Sequence, residues 1–121
     1  MITETPIKKQ YDLEDRTFLF AQNVRAFIQS VPKNILNQND ANQLLRSSGS
    51  VGANYIEANE SLSKKDFFMR IKISRKESKE SEFWLKLFQG VPANLEVSRK
   101  QLIQESIELR KIFGSILTKA V

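Results

Sequence analysis

Apolar side chains recur at intervals of three and four along almost the whole chain, and no stretch sustains a two-residue alternation. That periodicity admits helices and little else, because a helix face returns about every 3.6 residues whereas a strand face returns at every second one. Interruptions are few: four glycines and three prolines among 121 residues. Pro6 lies in a polar leader, residues 1–12, that carries no core of its own. Pro32 precedes Lys33–Asn39, an Asn- and Lys-rich stretch that reads as a loop. Gly90 and Pro92 form a stop signal, with Gly just past a helix end and Pro beyond it.

Four helical segments fall between these marks. The first runs from about Asp15 to Val31, with Phe20, Val24, Phe27, Ile28 and Val31 on one side. The second starts at Asn39 or Asp40, both suitable N-caps, and runs to about Ser61. Its expected core face is Leu44, Leu45, Ser48, Val51, Tyr55, Ile56 and Asn59. Ser63, with Asp66 three residues on, is the acidic analogue of a capping box and opens a third helix that reaches about Gln89. Its inward residues are Phe67, Ile71, Ser74, Ser78, Leu85 and Phe88. The last helix runs from about Asn94 to the C-terminus, burying Leu95, Leu102, Ile103, Ile107, the Arg110 stem, Phe113, Ile116 and Leu117. Long helices with short connections predict a single all-α domain over 13–121, an antiparallel up-down-up-down four-helix bundle.

Composition narrows the chemistry. The chain has no cysteine and no histidine, which removes thiolate nucleophiles, cysteine zinc sites and the commonest acid–base group. A di-iron bundle needs Glu-x-x-His on two helices and fails for the same reason. No Gly-rich phosphate loop or nucleophile elbow occurs. The expectation is a non-enzymatic protein with no catalytic residues, metal or cofactor. Neither a secretory signal nor a membrane-length apolar run is evident, so a cytoplasmic address and no membrane partner are expected.

Charge is unevenly spread. Residues 1–60 hold six basic and seven acidic side chains, residues 61–121 thirteen and seven. The basic half suggests anionic partners. On the third segment Lys65, Lys72, Lys76, Lys79 and Lys86 fall within about 80° of one another, nearly opposite the core. Such a row can track a phosphate backbone; it is also what a solvated face gives, with Glu77, Glu80 and Glu82 as intrahelical partners. Gly49 and Gly52 sit mid-helix in the second segment, each costing up to about 1 kcal/mol relative to Ala. Thin helix of that kind makes sense where another backbone comes close. Arg46, Ser50, Asn54 and Glu57 share the face away from Leu44, Val51 and Tyr55, and form either a subunit contact or a solvated seam. Trp84, with Ile73, Phe83 and Leu87, points away from the centre of the third helix's core face. These residues make either an oligomer contact or the flank of a wide core.

The composite Gln43-Leu44-x-Arg46-Ser47-Ser48-x-Ser50-Val51-x-x-Asn54-x-x-Glu57-Ala58, Ser63-Lys64-Lys65-Asp66-Phe67 and Arg75-Lys76-Glu77-Ser78-Lys79-Glu80-Ser81-x-Phe83-Trp84-Leu85 resembles the four helix bundle protein family. Its first members were reading frames inside intervening sequences of bacterial large-subunit rRNA genes. The resemblance spans roughly Leu13 to Leu117. Where the family has Ala-x-Ser-Ile-Pro-Ala-Asn, this chain has Gly49-Ser50-Val51-Gly52-Ala53-Asn54, so its helix is less kinked. The resemblance implies a homopentameric ring, as in the related accessory variability protein of diversity-generating retroelements, which binds nucleic acid and a reverse transcriptase. The function expected is RNA or DNA binding by a basic oligomer. The alternative is an adaptor docking a partner enzyme such as a reverse transcriptase.

Overall fold

The computed structural model describes residues 12–120, so the leader expected over 1–12 lies, apart from Asp12, outside the described residues. Among those described, the chain forms four helices and no strand: α1 (Leu13–Ser30), α2 (Ile35–Asn59), α3 (Lys64–Leu87) and α4 (Ala93–Ala120). Side-chain caps set three of the starts. The backbone N–H groups of Asp15, Asn37 and Asp66 donate to Asp12, Asn34 and Ser63 at 3.2, 2.9 and 3.1 Å. Each cap satisfies one of the donors that a helix N-terminus leaves without an internal partner. The Ser63 cap is the one expected.

The start of α2 differs from the sequence reading by more than a turn. Asn34 is the cap, and the stretch expected to be loop supplies the first residues of the helix. Asn37 explains why. Its amide is buried, donating to the Pro32 and Gln89 carbonyls at 3.1 and 2.9 Å and accepting from the Gln89 N–H at 3.0 Å. One side chain thus ties the α1–α2 connection to the end of α3. Asparagine in a loop-like composition hides such a role, because its partner lies 52 residues away in sequence. The other joints follow the expected punctuation: α3 ends at Leu87, and Gly90 has a φ of 65°, which L side chains seldom adopt.

The helices meet around a core whose wholly buried side chains include Phe20, Val24, Leu44, Val51, Ile71, Leu85, Leu109 and Phe113. As α2 is followed forward through Arg46, Val51 and Asn54, its partners on α3 step backward through Glu77, Ser74 and Arg70. Along α3, Phe88 and Glu82 meet Arg99 and Arg110 of α4. Arg16 closes α1 against α4, donating to Glu105 at 2.7 Å and to Glu108 at 2.9 Å. Gln104 and Arg16, both donating to Glu108, hold its carboxyl below the usual carboxylate range.

Two core assignments change. On α2, Ile56 and Asn59 are exposed, while Ser47 is completely buried against Ser81, their hydroxyls 2.9 Å apart. On α4 the inward line is Leu102, Ser106, Leu109 and Phe113, and Ile103, Ile107 and Ile116 flank it half-buried. Serine hydroxyls that bond to a carbonyl of the preceding turn, as Ser78 and Ser81 do, can enter a core without an orphaned polar atom. Hydrophobicity alone does not reveal them.

The two mid-helix glycines have different causes. A Cβ on Gly52 would lie 2.8 Å from Thr17 Oγ1 and 3.1 Å from Thr17 Cβ, and Thr17 is pinned by donating to the Leu13 carbonyl at 2.8 Å. The close backbone approach expected at Gly52 is therefore α1 of the same chain. At Gly49, among the described residues, nothing beyond the helix's own neighbouring turn lies within 4 Å of the Cβ position. Gly52→Ala is expected to destabilise the fold by about 1–2 kcal/mol, overpacking outweighing the gain in helix propensity. Gly49→Ala is expected to leave stability equal or higher by up to about 1 kcal/mol. Denaturant unfolding of both variants checks this, and Thr17→Ala in the Gly52→Ala background should restore part of the loss.

Candidate nucleic-acid interface

The basic surface is built on α3. Lys65, Lys72, Lys76, Lys79 and Lys86 are all exposed, because the helix turns Ile71, Ser74, Ser78 and Leu85 into the core. Among the described residues no ion pair engages Lys65, Lys72 or Lys79. Lys76 Nζ lies 3.8 Å from Glu77, and Lys86 donates to Glu82 at 2.8 Å.

The three carboxylates that the sequence placed as partners for these lysines go largely elsewhere. Arg46, reaching across from α2, donates to Glu77 Oε2 at 3.2 Å and to Glu80 Oε1 at 2.7 Å. Glu82 is shared between Lys86 and Arg110 of α4, the latter at 3.5 Å. Glu77 is buried although charged, its side chain only 5% exposed. Hydrogen bonding to Glu77 holds the Arg46 guanidinium more firmly protonated than usual, against a lesser opposing effect of burial. The arginine fork thus engages Glu77 and Glu80 from α2 and, among the described residues, leaves Lys65, Lys72 and Lys79 without an ion-pair partner.

The other singled-out residues divide between neighbours. Asn54 donates to Ser50 Oγ at 2.9 Å and accepts from Arg70 of α3 at 3.0 Å. Arg46, Ser50 and Asn54 therefore have partners within the chain. Arg46 is nonetheless half exposed, and Glu57 is exposed. Gly49 and the exposed Ala53 lie on the same outer side of α2. Trp84 is half-buried against the core, and its ring meets Phe83 edge-on at 5.0 Å. Phe83 and Leu87 are exposed, and Ile73 is intermediate.

The role of Arg46 as an inter-helix clamp was not readable from its own helix. The signal available was a lone arginine amid small residues. The buried position of Glu77, in a run of lysines, gave no hydrophobic cue. Among the described residues no group of three acidic side chains is placed to hold a metal ion, and no helix is long and apolar enough to cross a membrane.

Removing Arg46 leaves a buried carboxylate with one distant lysine. Arg46→Ala is expected to cost about 1–3 kcal/mol, below the full penalty for breaking a buried pair because the arginine is half in solvent. Glu77→Gln in that background should recover part of the loss, since a neutral amide is cheaper to bury without a cation. Urea denaturation of the single and double variants measures both.

A family model described as 23S rRNA-intervening sequence protein matches residues 9–115. The chain is also similar to a crystal structure of a protein with unknown function from the S23 ribosomal protein family of Bacteroides thetaiotaomicron VPI-5482. The TM-score is 0.72 at 27% identity, over 87% of this chain and 94% of that one. No curated protein matches the chain.

Proposed function

Since the chain belongs to the family of 23S rRNA-intervening sequence proteins, we propose that it is a non-enzymatic nucleic-acid-binding protein that works as a homo-oligomer. The backward stepping of helix partners supports an antiparallel up-down-up-down bundle as its subunit. The observation that carries the binding role is the set of exposed α3 lysines whose nearby carboxylates are claimed by Arg46 and Arg110. Lysines so arranged contact phosphates and release counterions, giving salt-sensitive binding with little sequence preference. Lys65, Lys72, Lys76 and Lys79 are the central contacts, with Lys86 weaker because Glu82 holds it.

Self-association rests on a different observation. Gly49 costs the helix up to about 1 kcal/mol, and among the described residues nothing fills the space beside it. With exposed Ala53, Ile56 and Glu57 and half-exposed Arg46, it makes a narrow outer face on α2 that a second copy can approach closely. The ring of five implied by the family resemblance is one closed assembly that such a contact generates.

Charge reversal tests the first part. Lys72→Glu with Lys79→Glu is expected to weaken binding to mixed-sequence RNA and DNA alike, and to reduce the slope of log affinity against log salt by about two. Unchanged affinity at low salt would remove the lysine face from the interface. For the second part, Gly49→Gln should stay folded by circular dichroism yet shift light scattering to a smaller species. A monomeric parent protein would refute the assembly outright.

A further inference from the structure

Phe83 is 56% exposed and lies between Lys79 and Lys86 toward the C-terminal end of the lysine row. At about 100° per residue it points the same way as Lys65, eighteen residues and five turns earlier, and within about 20° of Lys76. A shallow groove beside it is lined by Lys76, Lys79, Glu80, Phe83 and Trp84. Glu80 does not oppose an anion there with its full charge, because Arg46 donates to it at 2.7 Å. The Phe83 ring is braced edge-on by Trp84, at 5.0 Å and 79°, and Trp84 packs on the core. Phe83 therefore offers a supported aromatic face to solvent.

The same combination recurs one groove earlier. Lys65, Lys72, Phe68 and Met69 line it together with the Ser63–Asp66 cap, and Phe68 meets the half-buried Phe67 at 6.0 Å. Fifteen residues of helix separate Phe68 from Phe83, roughly 22 Å, with Lys72, Lys76 and Lys79 between them. Isolated exposed apolar residues on a helix need no explanation. Two braced aromatics at either end of a row of exposed lysines match the requirements of a chain carrying both phosphates and accessible base faces.

We propose that the α3 face binds single-stranded nucleic acid, with an unpaired base stacked on Phe83 and its flanking phosphates on Lys76 and Lys79. Duplex bases are already stacked on one another and present no face to the ring, so this contact discriminates against paired segments. The inference rests on the phosphate-binding reading of the lysines but can fail separately from it.

The experiment titrates the full-length protein at low salt with an oligouridylate and with a blunt RNA duplex of equal length. The single tryptophan in the chain, Trp84, touches Phe83 and reports directly on the site. Its emission should be quenched by the oligouridylate and hardly altered by the duplex. Phe83→Ala should weaken oligouridylate binding about ten-fold and leave duplex binding within about two-fold, the loss expected for one stacked base. Phe83→Tyr should restore it. Exposure of the ring makes misfolding no explanation, which a circular dichroism melt of each variant verifies. Equal loss on both probes, or none on either, overturns the stacking while Lys72→Glu with Lys79→Glu still tests the lysines. Dissociation of the assembly by Phe83→Ala would show that a protein surface covers this face, and would overturn it too. A parent protein that binds neither probe ends both readings.

Discussion

Arg46 holds the central position in this molecule. Its guanidinium crosses from α2 to α3 and engages two carboxylates there, one of them buried. Fork-like donation of this kind fixes the azimuth of both helices more tightly than apolar contact does, because the hydrogen bonds are directional. With it are set the buried Ser47–Ser81 pair and the Ser74 hydroxyl on the Val51 carbonyl. The helix pair thus buries serines and a glutamate among its apolar side chains, joined across the seam by directional hydrogen bonds.

That seam also decides the electrostatics of the outer surface. An α3 helix taken alone would balance lysine against glutamate along its own length, since residues three and four apart are neighbours. In the folded subunit Glu77 and Glu80 are drawn toward α2 and Glu82 toward α4. A helix already rich in lysine becomes polarised, with Glu77 buried and the lysines outward. Net charge by itself could not have predicted this, because it counts groups without regard to where their partners sit.

The small residues show the same dependence on context. Gly52 is required by Thr17 on α1, Gly90 by a backbone turn that favours glycine, and Gly49 by nothing among the described residues. From sequence the two α2 glycines looked like one feature. In the fold they belong to different surfaces, one between α1 and α2 and the other facing outward.

The amino-acid sequence alone determined the helical class, the number of helices, the Ser63 cap, the Gly90 stop and the presence of a lysine row on α3. Each of these depends on residues within a turn or two of one another, where periodicity and capping act directly. Only the tertiary structure decided that α2 begins at Asn34, that Ser47, Ser106 and Leu109 are buried, that Ile56 and Asn59 are not, and that Arg46 takes the glutamates from the lysines. Three of them turn on partners 31 to 52 residues apart: Arg46 with Glu77, Ser47 with Ser81 and Asn37 with Gln89. A buried polar group is stable only when its distant partner is in place, and spacing along one helix carries no information about that partner.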